Sequence, residues 1–414
     1  MLRSNADVVV VGAGIVGLSI AYQLARHRAG RVTVLEKGPA VAEGSTGASS
    51  AILRQRYSHA ELIQLARDGV AAYASWAAFT GLAEPRAEFQ HVGVLWMTGE
   101  SASGLAAERE RMSELGVAAL LLDAAALRER FPALSACGAA LDLSGDREHD
   151  CAEGGPYLFE LDGGYTDPAG AAQDLLEASR RDGVEVRLRQ EVAGIRSRGG
   201  RVQGVDLAGG GGVDAPVVIN AAGPWCNRLT ALAGLELGWT LRPTRVQVLY
   251  RDWPAEVPGP LPVVGDISSG VYFRPESRGQ RILLGSTRPE DERERVGDPD
   301  DFDRSLDPQF RDHKIHGLHH RLPMLPHRGR VAGLAGLYTV NEEDVHPIVG
   351  PTDLEGYLVA NGFSGHGFKL APMVGSMLAR WLTGERVEFD TEVPLEFLAV
   401  DRTPLVLREK SVLA

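Results

Sequence analysis

Gly12-Ala13-Gly14-Ile15-Val16-Gly17 has the glycine spacing of a loop that cradles a pyrophosphate. Gly12 admits a tight turn, Gly14 lets backbone approach the phosphates, and Gly17 lets a helix pack closely on a strand. The N–H groups that open that helix, from Ala13 and Ile15 onward, point at the negative charge. Glu36 stands nineteen residues beyond Gly17, where a carboxylate can accept both hydroxyls of a ribose, and Lys37 borders it. Three further segments combine small residues with polar atoms. Gly44–Ser50 offers Ser45, Thr46, Ser49 and Ser50 to the same ligand. Asn220-Ala221-Ala222-Gly223-Pro224-Trp225 again admits close approach, at Ala222, Gly223 and Trp225. In Asn361–Lys369, the successive N–H groups of Gly362, Phe363, Ser364, Gly365, His366, Gly367 and Phe368 can stabilise an anion in front of a helix.

These loops need elements to hold them. Asp7–Val11 is a continuous apolar run suited to a strand buried on both faces, Ile15–Arg26 has helical spacing, and Arg31–Leu35 is a second strand, which together make a right-handed βαβ unit. Helices are expected at Glu61–Ala78, Ser103–Leu115 and Ala124–Arg130, the latter two within a less patterned inserted region. Asp167-Pro168 starts another helix, and Val184–Leu188, Val192–Arg196, Val202–Leu207 and Val213–Asn220 read as strands, with Val192 bordering the nucleotide site. A Pro-rich β stretch spans Arg242–Gly285, and Arg288–Asp307 is a polar surface excursion. Tyr357–Ala360 and Phe368–Leu382 give a final strand and helix.

The expected fold is α/β plus β: a Rossmann-like domain with an inserted substrate domain on a mixed, largely antiparallel sheet flanked by helices. The nucleotide part is discontinuous (1–90, 151–225 and 331–395), the inserted part takes 91–150 and 226–330, and 396–414 forms a tail. The chain of 414 residues carries 43 Lys+Arg against 55 Asp+Glu, a net charge of −12, which excludes a general nucleic-acid binder. The run Val8–Val11 is too short and too soon broken by glycine for a membrane span, and the N-terminal stretch has no signal-peptide cleavage pattern. Cys137, Cys151 and Cys226 lack CxxC spacing, so neither a disulfide framework nor a zinc site is expected, and the reading is a cytoplasmic protein. His313, His316, His319, His320 and His327 are read as a solvated or interface cluster, with no metal expected.

Taken together, the βαβ unit, Gly44–Ser50, Asp167-Pro168, Asn220–Trp225 and above all Gly362–Lys369 resemble the FAD-dependent amine and amino-acid oxidoreductases of the D-amino-acid oxidase superfamily, in the branch of sarcosine oxidase and dimethylglycine dehydrogenase. The resemblance is strong in the terminal segments and weak in Gly93–Cys151 and Arg288–Arg330. It implies bound FAD, a sheet roofing the flavin, and oxidation of the C–N bond of a secondary, tertiary or cyclic amino acid by hydride transfer to flavin N5, giving an imine. Arg54 falls where relatives have an Arg that grips the substrate carboxylate, with Arg56 as the alternative, and Lys369 falls on the other half of that clamp. Tyr272 and Tyr338 match substrate-pocket tyrosines. His366 is a further catalytic candidate, although its loop offers backbone more readily than side chain.

Two departures from the family pattern shape the expectation. Gly336 stands where a cysteine tethers the flavin, so FAD is expected to be non-covalent. Leu283 stands where oxidases carry an oxygen-activating Lys, which leaves O2 or a separate redox partner as electron acceptor. Two other readings of the same residues are a flavoprotein assembly or interaction factor with little turnover, and a D-amino-acid dehydrogenase. An NAD-dependent dehydrogenase leaves the later glycine segments unexplained.

Overall fold

The computed structural model describes residues 3–142, 149–253, 261–276 and 279–407. Parts of the expected inserted region, the Pro-rich β stretch and the C-terminal tail lie outside them.

A six-stranded sheet is built in the order Ile348–Pro351, Tyr357–Asn361, Val217–Asn220, Val8–Val11, Val32–Leu35 and Glu185–Arg187. All neighbours are parallel except the antiparallel edge strand Ile348–Pro351. Alternate side chains of a strand face opposite sides, so a four-valine strand must find apolar cover twice. Val8 and Val10 pack with Leu18, Leu175 and Leu378 of the helices Ile15–Arg26, Pro168–Arg181 and Gly367–Thr383. Val9 and Val11 pack with Ile195, Val202, Val205 and Val213 of a second, four-stranded sheet. The result is a layer of helices, a parallel sheet and a small mixed sheet, as the βαβ reading requires.

The expected single strand Val213–Asn220 is two strands in different sheets. Gly212–Asp214 belongs to the four-stranded sheet and Val217–Asn220 to the parallel one. Pro216 separates them, because it has no N–H to donate to a ladder. The expected helix Glu61–Ala78 likewise divides into Ala60–Ala74 and Trp76–Thr80 at Ser75.

An eight-stranded sheet runs Val331–Asn341, Leu241–Asp252, Arg281–Ser286, Val271–Glu276, Val263–Asp266, Val94–Met97, Tyr157–Glu160 and Ala119–Leu122. Only the pair Val263–Asp266 and Val94–Met97 is parallel. Two of these strands, Tyr157–Glu160 and Val331–Asn341, were expected in the nucleotide part and instead hydrogen-bond here. One face of the sheet, with Leu249, Phe273, Ile282 and Leu284, packs on Phe310 and Leu318 of the helix Pro308–Arg321. Tyr272 and Leu283 alternate with those core residues and so face the other way, toward the glycine loops.

Candidate active site

A cavity of about 370 Å³ opens along the C-terminal ends of the strands Val8–Val11, Val32–Leu35, Val217–Asn220 and Tyr357–Asn361, where open parallel sheets bind ligands. Its wall includes Gly12, Gly14 and Ile15, then Glu36 and Lys37, then Ser45, Thr46 and Ser49, then Val192, Ala222, Gly223 and Trp225, and finally Tyr338 and the loop from Gly362 to Phe368. All four segments picked out by their small residues therefore meet at one elongated space.

Local geometry explains the residue types. Gly12 has φ +109°, and a Cβ there would lie 2.5 Å from the Ala221 carbonyl oxygen. A Cβ at Gly17 would overlap the Gly12 carbonyl oxygen, so the helix seats on the loop only with glycine. Gly14 differs, meeting only Thr46 Oγ1 at 3.1 Å and otherwise facing the cavity. Ile15 N–H donates to Thr46 Oγ1 at 3.0 Å, which places a hydroxyl at the helix N-terminus. Glu36 accepts from Ala13 N–H and Gly38 N–H, both at 2.8 Å, so two backbone donors fix the carboxylate while each oxygen keeps a lone pair for a ribose hydroxyl.

The rim holds a residue that sequence reasoning missed. Asp300, from the segment expected to be a mere surface excursion, pairs with Lys37 and Arg228 and accepts from Trp225 Nε1 at 2.9 Å. Burial raises its carboxyl pKa, but the bonds from Lys37 and Arg228 outweigh that and bring it down to about 2. Lys37 also lies 4.0 Å from the Trp225 ring centroid. Three distant segments are thus tied together over one end of the cavity, and no local spacing in the polar run could have pointed to it.

Several predicted residues stand behind the wall. Ala13 acts through its N–H, and Gly17 through packing. Ser50, Tyr272, Gly336 and Tyr338 border a small adjoining cavity, with Tyr338 shared between the two. The Ser50 carbonyl oxygen accepts from Arg274 Nε at 2.6 Å. Burial pushes the Tyr272 hydroxyl up to about 12 and raises Tyr338 well above the ordinary phenol value, so both remain neutral phenols.

Lys369 lies in the first turn of the helix Gly367–Thr383, which is pinned by neighbours. Tyr73 donates to the Phe368 carbonyl at 2.9 Å and stacks on the Phe368 ring, and Gly69 leaves room for the Lys369 carbonyl. Lys369 Nζ makes one long hydrogen bond, 3.4 Å, to the Gly365 carbonyl, and no carboxylate lies within ion-pair distance among the described residues. Burial, then the neighbouring Arg54, holds its pKa well below that of ordinary lysine. Arg54 is buried, donates to the Arg56 carbonyl, and lies over the Tyr57 ring at 4.2 Å. Arg56 instead gives its guanidinium to Glu100 and Glu108. The buried Glu160 carboxylate organises this corner, accepting from Gln55 N–H, Arg56 N–H and Trp96 Nε1. A carboxylate inside the otherwise apolar strand Tyr-Leu-Phe-Glu was the available clue to it. Neither Arg54 nor Lys369 reaches the main cavity wall.

His366, the further catalytic candidate, lies away from the cavity. Its ring is fully buried behind the loop, with Nδ1 3.0 Å from the Tyr57 hydroxyl and the ring stacked on His346 at 5.1 Å. Burial lowers both imidazoles, His346 to about 4 and His366 well below its ordinary value, where His346 and Lys369 add to the effect. The sign of the resulting pH dependence is fixed. Between pH 6.5 and 4 the unfolded chain takes up protons that the native pair refuses, so stability falls as pH falls through that window. The His346 share is about 3 kcal/mol. Urea midpoints measured across it should drop, and His346→Gln should flatten the slope; an unchanged slope would refute the assignment.

The donor set fits a flavin dinucleotide. A helix N-terminus with a hydroxyl beside it suits the pyrophosphate, a fixed carboxylate suits a ribose, and a second set of loop N–H groups borders the far end. In that loop Gly362, Ser364 and Gly365 have positive φ, which Ser364 sustains by Oγ accepting from Asn341 N–H at 2.9 Å.

Comparison with known proteins agrees. "FAD-dependent oxidoreductase domain-containing protein 1" of Xenopus laevis is 28% identical over 408 residues, covering 91% of this chain and 78% of that protein. Mitochondrial dimethylglycine dehydrogenase of Rattus norvegicus is 25% identical over 407 residues, covering 94% of this chain but 44% of that longer protein. The crystal structure of L-proline dehydrogenase from P. horikoshii shares the fold, with a TM-score of 0.80 at 24% identity over 96% of this chain and 98% of that one. No helix among the described residues is long and apolar enough to cross a membrane. The family model for FAD-dependent oxidoreductases matches residues 7–381, so the chain belongs to that family, with non-covalently bound FAD as its cofactor.

Proposed function

We propose that the protein oxidises the C–N bond of a small secondary, tertiary or cyclic amino acid whose carboxylate is held by Lys369 and Arg54. The observation that carries this reading is the buried Lys369 side-chain nitrogen with a single long hydrogen bond and no described carboxylate in reach. A buried cation costs free energy unless it is paired, and a substrate carboxylate supplies the pairing. Arg54 rather than Arg56 is the second half of the clamp, because Arg54 is buried beside Lys369, whereas Arg56 turns its guanidinium to Glu100 and Glu108.

FAD, when bound, supplies the hydride acceptor. The chain's own residues bind and orient. Tyr338 and Tyr272 exclude water from beside the reacting carbon as neutral phenols, and the N-terminal end of the helix Gly367–Thr383 stabilises negative charge in front of it. A substrate bound as the free amine needs no protein base, consistent with His366 facing away. Leu283, buried and apolar, favours a separate electron acceptor over O2, although the sheet register sets the buried Arg274 opposite it.

A second reading, an FAD-holding assembly factor with little turnover, draws on the position of Arg54 and Lys369 behind the cavity wall rather than on it. An anaerobic screen separates the two. N-methyl, cyclic and D-amino acids are mixed with the yellow holoprotein, and rapid bleaching of the oxidised-flavin absorbance is expected with one class of carboxylate-bearing amine. Absence of bleaching across the whole panel would favour the assembly factor. Reoxidation in air, compared with an artificial dye, then identifies the acceptor class.

A further inference from the structure

A second cluster of reactive side chains lies far in sequence from the nucleotide loops, where Cys137 and His149 meet His320 of the helix Pro308–Arg321. Cys137, His149 and His320 each offer one ligand atom, and these atoms all lie within 4.8 Å of one another. Cys137 Sγ is 3.3 Å from His149 Nε2, the His149 and His320 rings are 4.6 Å apart, and the Cys151 thiol, raised in pKa chiefly by Cys137, stands next to them. Bound at about 2.3 Å for sulfur and 2.0 Å for nitrogen, tetrahedral ligands lie roughly 3.3–3.8 Å apart, so the cluster is close to closed. His149 and Cys151 are exposed and have room to complete it.

The surroundings orient the two better-buried ligands. His320 Nδ1 is 2.7 Å from Ser269 Oγ, and its Nε2 is buried without a hydrogen-bond partner. An N–H fixed on one side of an imidazole leaves a lone pair directed from the other, the arrangement of a metal ligand. Ser269 is itself held, its N–H donating to Asp266 Oδ1 at 3.2 Å. Cys137 is buried, and its strand is clasped by Gly138 N–H to the Ala152 carbonyl and Gly154 N–H to the Ala136 carbonyl. Arg321 donates to the Ser135 and Cys137 carbonyls while paired with Asp266, so helix and loop are already in register.

We propose that Cys137, His149, Cys151 and His320 bind one zinc ion, which clips the residues around Cys137 and around His149–Cys151 onto the helix Pro308–Arg321. Two thiolates and two imidazoles in a tetrahedron suit zinc and exclude hard cations such as magnesium or calcium. Binding releases one proton from each thiol to solvent, and the two thiolates balance the ion's charge. No redox step is involved. The sequence reading missed this site because its ligands come from one loop and from a helix in another part of the chain. His319 and His327 stack on each other, outside the cluster.

The test uses reduced, FAD-loaded protein and zinc alone. One equivalent of zinc per chain should survive dialysis, and cobalt in its place should give the thiolate charge-transfer band and intense visible bands of a tetrahedral thiolate site. Cys151→Ser and His149→Ala, both at exposed positions, should each weaken zinc at least about 100-fold with the flavin spectrum intact. His313→Ala on the same helix should not. Retention of no zinc, a Cys137–Cys151 disulfide re-forming in preference to metal binding, or affinity unchanged in both ligand variants would each overturn the proposal.

Discussion

Lys369→Met should lower kcat/KM for a carboxylate-bearing amine by about 30-fold to several-thousand-fold, the 2–5 kcal/mol associated with truncating one partner of a buried charge pair. The loss should fall mainly on KM, because the clamp binds a part of the substrate that does not react. Flavin content should stay at the wild-type level, since Lys369 does not line the cofactor cavity. Stability should move the opposite way. In the substrate-free protein this amino group is buried with one long hydrogen bond and no ion-pair partner among the described residues, so an isosteric apolar chain relieves the cost of burying it and raises the thermal midpoint. Arg54→Met should reproduce the kinetic loss, with Arg54→Lys restoring part of it. Unchanged kinetics in both methionine variants would refute the clamp. In the wild type, affinity should fall as pH rises through the depressed Lys369 value, because only the protonated amine attracts a carboxylate.

Gly17→Ala should leave the protein largely without FAD. In an exposed helix, alanine is better than glycine by up to about 1 kcal/mol, so propensity alone predicts stabilisation. Here the added methyl overlaps the Gly12 carbonyl oxygen, which is backbone and cannot rotate away. The helix Ile15–Arg26 must lift from the strand Val8–Val11 or the loop must unfold, and either movement displaces the N–H groups that would hold the pyrophosphate. A net destabilisation of more than about 3 kcal/mol is expected, beyond the usual range for overpacking a side-chain core. The ratio of flavin to protein absorbance and the urea midpoint measure the two effects; wild-type values for both would show that the loop does not seat as described.

What could be read from the chain follows from the range of the interactions involved. The glycine loops, Glu36 and the strands Val8–Val11 and Val32–Leu35 were legible because their constraints are local, a turn, a helix start or a two-sided strand. Even the break at Pro216 has a local cause and could have been anticipated. Asp300, Tyr57 and Glu160 were not identified. Their roles arise where segments widely separated in sequence pack together, and no periodicity encodes such a meeting. The same holds for His366, whose sequence context suggests chemistry but whose ring is turned to Tyr57 and His346. Cys137 and His320 extend the point, since the spacing between them has no recognisable form.

The strand order of the parallel sheet has a consequence for biosynthesis. Val8–Val11 leaves the ribosome early, but one of its neighbours, Val217–Asn220, and the loop after Tyr357–Asn361 that closes the cavity emerge much later. A growing chain therefore exposes an unpaired apolar strand edge until Val217–Asn220 has emerged, the kind of surface that chaperones hold. Cofactor loading must wait for the loop after Tyr357–Asn361, and limited FAD should appear in the cell as degraded protein rather than as a stable, colourless form.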